Sequence, residues 1–190
     1  QEQSDVRTAA KLFLHKEFDL PYYFGFSCLC SIASSNIEQF LDIAGELYEQ
    51  AMSASLLSLT RKSPEISAEL QEKILKKTIH KRWKEITRRV DNPTDVRSFL
   101  ESIGNFSKWE TYKPNAPYSP GVTGIAIKMT DRDKLRDQQF IKNNIGFGRL
   151  AKVISSCLAH NLLDAVLDHK CKGDRWMVLY LNRMLCVEFD

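Results

Sequence analysis

Eight cations crowd the segment between Ser67 and Arg89: Lys73, Lys76, Lys77, Lys81, Arg82, Lys84, Arg88 and Arg89. Only Glu69, Glu72 and Glu85 oppose them, leaving a local excess of five positive charges in a chain whose formal net charge is +3. Ile66, Leu70, Ile74, Ile79, Trp83, Ile86 and Val90 recur three to five residues apart through the same stretch. That spacing predicts one helix with an apolar stripe and cations on its wet faces. The chemistry on offer is contact with an anion. Each phosphate neutralised by a lysine or arginine releases condensed counterions, so affinity would be useful and salt-sensitive. A solvated surface helix is the ordinary fate of a charge run. The lack of carboxylates placed regularly four residues from the cations favours binding instead. Lys73, Lys76, Lys77, Lys81, Lys84 and Arg88 are the expected phosphate contacts.

A second mixed cluster follows at Ser107–Tyr118, where Lys108 and Lys113 alternate with Trp109, Tyr112 and Tyr118. Cations beside aromatics can stack on bases or fill a protein groove. Read the other way, the three aromatics seal the core under a long connection, and that reading is preferred. Lys108 and Lys113 are kept as a second nucleic-acid contact.

No other constellation carries chemistry. Cys28 and Cys30 are separated by Leu29 alone, too close for a zinc knuckle, and no second Cys or His pair completes four ligands. His15, His80, His160 and His169 are scattered; His160, His169 and Cys171 are expected on a helix and the turn after it. No metal site is expected. Gly146-Phe147-Gly148 precedes a helix, but no phosphate-loop motif follows, since Lys152 is succeeded by Val153. No nucleophile-elbow, zincin or dinucleotide fingerprint is present. The chain is therefore not expected to be an enzyme.

The elements that would position these residues are mainly helical. Val6–His15 reads as a short helix ended before Pro21. Tyr22–Ile32 is apolar and aromatic, interrupted by Gly25, and fits a loop, strand or short helix. Ser34, Ser35 and Asn36 are N-cap types ahead of Ile37, Phe40, Leu41, Ala44, Leu47, Tyr48 and Ala51, a helical apolar set. Glu38 and Asp42 suit its positive end. Ser63-Pro64 marks the start of the basic helix, with Ser67 as a further cap. Asp91-Asn92-Pro93-Thr94 turns the chain into a helix that buries Val96, Phe99, Leu100 and Ile103 and stops at Gly104. Asn105–Gly121 is a long loop rich in proline. Val122–Ile127 and Trp176–Leu181 read as strands, Asp131–Lys142 as a polar helix or linker, and Gly148–Leu167 as a strong helix. The order from Ile66 matches what a winged-helix module offers, a helix pair followed by strands and loops.

Bulk properties set the class. At 43% hydrophobic and 27% charged residues, 190 residues make one large domain or two small ones, not a disordered chain. No apolar run approaches the roughly 20 residues needed to span a bilayer, so no membrane partner is expected. Five cysteines, odd in number and mostly within apolar segments, fit reduced thiols in a cytoplasmic protein. The polar start lacks an initiator Met and any secretory signal, and the chain is expected to be a fragment.

Ser34-Ser35-Asn36-Ile37-Glu38-Gln39-Phe40-Leu41-Asp42-Ile43-Ala44, preceded by the aromatic-rich stretch, resembles the lid helix of AAA+ and related signalling (STAND-type) ATPases, the origin-recognition type above all. In that family a lid helix with a small-residue-Asn-Ile/Val-Arg pattern follows the nucleotide-binding core, and a winged-helix domain comes next. The resemblance implies a helical lid-like bundle over 1–60 followed by a winged-helix-like domain over 61–190, mainly α with short β strands. It implies that Walker motifs and ATP belong to an upstream domain and that this chain holds no cofactor. Glu38 stands where the family often has a phosphate-sensing Arg; a carboxylate would repel phosphate, so no sensing role is expected there. The function expected is nucleic-acid binding, to duplex DNA first, by the C-terminal region of a larger ATPase. The rival is a protein-interaction or oligomerisation module whose basic face docks on an acidic partner, its own upstream ATPase domain or a neighbouring subunit.

Overall fold

The computed structural model describes residues 2–34, 36–57, 65–114, 121–171 and 173–190. Ser35, Ser63, Pro64, Pro117, Tyr118 and Pro120, which carried parts of the sequence reading, lie outside them. The described residues gather into two compact units, one drawn from Gln1–Trp83 and the other from Lys84–Ala116 and Gly121–Asp190. The basic helix up to Trp83 thus belongs with the first unit, although the sequence reading grouped it with the winged-helix-like part.

The first unit is helical: α1 (Glu2–Phe18), α2 (Phe26–Ile32), α3 (Ile37–Leu57) and most of α4 (Ala68–Glu85). Local chemistry sets the starts. Asn36 accepts the Gln39 amide through Oδ1 at 3.1 Å, an N-cap bond for α3. Ser67 Oγ accepts the Leu70 amide at 3.3 Å and its carbonyl accepts the Gln71 amide at 2.9 Å, opening α4. Gly25, at φ +85°, turns the chain into α2. The α4 side chains fasten the segment before it: Glu72 Oε2 accepts the Tyr22 amide at 3.1 Å and Gln71 Oε1 the Gly25 amide at 2.9 Å. Leu29, Ile32, Ile43, Ile74, Leu75, Ile79 and Trp83 form the buried centre. Ile74, Ile79 and Trp83 of the predicted stripe are buried on α4, but Ile66 precedes the helix and is half-buried, Leu70 is exposed, Ile86 and Val90 lie past the end of α4, and Leu75 joins from outside the predicted set. The apolar set predicted for α3 splits. Ile43 and Gln39 point inward, while Ile37, Leu41 and Tyr48 are 73%, 61% and 66% exposed.

The second unit opens with a 3-10 turn (Ile86–Arg88), then α5 (Pro93–Thr111), β1 (Gly124–Lys128), α6 (Met129–Arg136), α7 (Gln138–Asn143), α8 (Ile145–Ala159), β2 (Leu163–Cys171), β3 (Asp174–Leu181) and α9 (Arg183–Phe189). Asn92 adopts a left-handed conformation (φ +52°) ahead of Pro93 at the first turn of α5. The sheet is antiparallel in the order β1-β3-β2, with Ala126 opposite Val178 and Ala165 opposite Leu179. A bulge falls between Val166 and His169. Val96, Leu100, Ile103, Cys157, Leu163 and Leu179 are among the residues buried where the helices cover the sheet.

Two predicted boundaries move here. The helix expected to stop at Gly104 continues to Thr111, because Gly104 serves packing rather than termination: a Cβ there would overlap the Phe189 ring. The expected long loop is therefore helical through Thr111. The helix expected to reach Leu167 stops at Ala159. Asn161 turns left-handed at φ +53°, the Leu162 amide bonds the Cys157 carbonyl at 2.8 Å, and Asn182 Nδ2 donates to the Asn161 carbonyl at 2.9 Å. Leu163 and Val166 fit helical spacing but lie on a strand that alternates instead. The fold is mainly helical with one small antiparallel sheet, as expected, and its second unit accords with a winged-helix-like part. The helices between its first two strands are α6–α8, not the pair α4–α5 that the sequence reading had matched to that module.

Candidate nucleic-acid interface

Lys73, Lys77 and Lys81 stand four residues apart on α4 and are all exposed. Four residues advance a helix by about 6 Å and return nearly to the same face. The three ammoniums therefore form one row, and among the described residues none of them makes an ion pair. Leu75, Ile79 and Trp83, buried on the opposite side, fix which way that row faces.

The remaining cations of the segment divide. Lys76 Nζ lies 2.9 Å from Glu72, one turn back, and 5.4 Å from the centre of the Tyr23 ring. Arg82 reaches Glu38 at 2.8 Å and Asp42 at 3.3 Å on α3. Arg89 lies 3.6 Å from Glu85. The expectation that no carboxylate answers these cations is thus corrected for three of them. Two partners sit four residues away in sequence, and the Arg82 partners come from another helix, out of reach of local pattern. Glu38 is held by Arg82. Lys84 and Arg88, counted in the second unit, are exposed and make no ion pair among the described residues.

The second expected contact is built differently from its prediction. Lys108 is on α5, and its Nζ donates to the Asp190 carbonyl. Tyr112 Oη donates to Asp190 Oδ1. Lys113 Nζ lies 2.7 Å from Glu110 and 3.4 Å from the centre of the Trp109 ring. Trp109 is 61% exposed, so it seals no core, contrary to the preferred reading; Tyr112 is half-buried. Both lysines are engaged by their own unit.

Sequence reasoning passed over the cations of the α6–α8 and hairpin region. Arg136, Lys142, Lys152 and Lys170 are exposed there. Arg149 is clamped to Asp95, and Arg175 reaches Asp168 with Nε at 2.6 Å; each arginine holds its partner carboxyl below the usual carboxylate range. Ile145, first residue of α8, is 87% exposed. The signal that could have found this region is the charge balance by unit. Residues 84–116 and 121–190 carry 17 Lys/Arg against 13 Asp/Glu, whereas residues 1–83 carry 10 against 11.

All five thiols are free; burial pushes Cys157 up to about 12 and Cys186 to about 11, far from a reactive thiolate. Among the described residues no three His, Cys, Asp or Glu side chains come close enough to hold a metal ion, and no helix is long and apolar enough to cross a membrane.

A mainly helical chain with one three-stranded antiparallel sheet near its C-terminal end and a row of exposed lysines is the class of protein defined so far. The family model for ORC-CDC6-like proteins matches residues 6–190, and the chain belongs to that family. The match accords with a C-terminal region of an origin-recognition-like AAA+ protein. No curated protein and no solved structure matches the chain significantly.

Proposed function

We propose that this chain is a non-catalytic, nucleic-acid-binding region of an ORC-CDC6-like ATPase in the cytoplasm, and that its ligand is duplex DNA. The observation that carries the reading is the row Lys73, Lys77 and Lys81, exposed on one face of α4 and without ion-pair partners among the described residues. Unneutralised cations held in register by a rigid helix gain from phosphate contact with little side-chain reorganisation. Lys76, named with them from sequence, contributes less, because Glu72 already answers its charge. The net positive second unit adds attraction, and its element order, with α6–α8 before the β2–β3 hairpin, suits a winged helix that offers α8 to a groove. The chain supplies no nucleotide chemistry of its own; ATP belongs to an upstream domain of the parent.

The test is charge reversal. Lys73→Glu, Lys77→Glu and Lys81→Glu together should abolish binding to a random duplex while helix content by circular dichroism stays unchanged. Unchanged affinity would overturn the proposal for α4.

A further inference from the structure

A helix at the surface of a globular unit should be polar on the side away from its core. Helix α3 is not. Opposite the buried Ile43 and Gln39 runs a second apolar stripe: Ile37, Leu41, Gly45, Tyr48, Met52 and Leu56, spaced by three or four residues. Ile37, Leu41, Tyr48 and Leu56 are between 61% and 81% exposed. From Ile37 to Leu56 the stripe runs about 28 Å at the rise of an α-helix. At its centre Gly45 faces open space, with nothing within 4 Å of where a Cβ would stand, so a second backbone could approach closely there. Such a patch marks an interaction surface. Spacing of this kind is read by another helix laid alongside.

Charge decides which helix. Glu38, Asp42 and Glu49 border one edge of the stripe, Glu46 lies beyond them toward Gln39, and α3 contains no Lys or Arg. Glu38 and Asp42 are answered by Arg82, but Glu46 and Glu49 make no ion pair among the described residues. Nucleic acid and an anionic membrane surface would both be repelled by this rim. Antiparallel pairing of α3 with the α3 of a second copy would set carboxylates against carboxylates. We infer that the outward face of α3 docks an amphipathic helix of another protein that carries Lys or Arg beside its apolar stripe. The apolar stripe supplies the buried area and Glu46 and Glu49 supply the choice of partner.

The full chain is titrated into two labelled synthetic helices of about the length of α3, identical except for their flanks. One has leucine at the a and d positions with lysine at e and g; its twin has glutamate in place of each lysine. The lysine helix should bind at least about tenfold more tightly than the twin, and more weakly as salt rises. Leu41→Glu with Tyr48→Glu should abolish binding without loss of helix content, since both side chains point away from the core. Glu46→Gln with Glu49→Gln should narrow the gap between the two peptides several-fold. Binding to duplex DNA should be the same in all these variants, which separates this surface from the lysine row of α4. Equal binding of the two peptides, no binding of the lysine helix, wild-type binding by Leu41→Glu/Tyr48→Glu, or self-association through α3 at neutral pH would overturn the inference.

Discussion

Replacing Gly104 by alanine sets two effects of opposite sign against each other. Gly104 lies inside α5, where alanine is intrinsically better than glycine by about 1 kcal/mol. Yet the new methyl would overlap Cγ, Cδ2 and Cε2 of the Phe189 ring on α9. These atoms include the root of the ring, so no swing of a flexible tip relieves the overlap. Overpacking of this kind costs about 1–3 kcal/mol, and the collision should win with a net loss of about 1 kcal/mol. Removing the ring reverses the sign. In a Phe189→Ala background only the helix preference remains, and Gly104→Ala should stabilise by up to about 1 kcal/mol. The coupling between the two sites is then about 2 kcal/mol, well above the additivity error of about 0.5 kcal/mol. Urea denaturation of the four proteins, followed by circular dichroism, measures it. Stabilisation by Gly104→Ala in the native background, or a coupling within the additivity error, would refute this account of why a glycine sits in mid-helix.

Iodoacetamide at mildly alkaline pH should modify the exposed Cys30 and Cys171 first; Cys157 and Cys186, whose burial raises their pKa values to about 12 and 11, should react only on unfolding, as read by mass spectrometry. The same shifts predict stability that is complete below the ordinary thiol range and declines as pH rises through it, because the unfolded chain ionises first. Ser67→Ala should cost about 1 kcal/mol in thermal or urea unfolding by removing the acceptor for the Leu70 amide. Asp168 is held ionised by Arg175, so its contribution is present at neutral pH and lost only on acidification below the usual carboxylate range. In Arg175→Gln, NMR titration should show Asp168 protonating at a higher pH than in the wild type; no change would refute that clamp.

What could be read from the sequence was what local pattern controls. Ile74, Ile79 and Trp83 are buried on α4 as their spacing predicts, although Ile66 and Leu70 of the same set are not, and Ser67 and Asn36 cap their helices through bonds that need only neighbouring residues. Non-local partners defeated the rest. Gly104 looks like a helix stop until Phe189, far along the chain, is seen to occupy the space beside it. Leu162, Leu163 and Val166 satisfy helical spacing, but pairing of Leu163 with Leu181 and of Val166 with Val178 makes a strand. Arg82 counted as a free cation because Glu38 and Asp42 lie on another helix. The apolar set of α3 was read as one buried face, whereas Ile37, Leu41 and Tyr48 lie on the far side from Ile43. In the candidate site, residue types and helix were legible; which cations stay unanswered was not.

The central claim is that Lys73, Lys77 and Lys81 meet phosphates, and the salt dependence of duplex binding tests it most directly. Fluorescence anisotropy of a labelled random duplex is titrated with the full chain over a series of salt concentrations. The same series is then run with Lys73→Gln, Lys77→Gln and Lys81→Gln combined. Each phosphate contact contributes a slope of about 0.9 in log Kd against log salt, so losing three contacts should lower the slope by about 2.7. Absence of binding even at low salt, or the same slope in both proteins, would contradict the account.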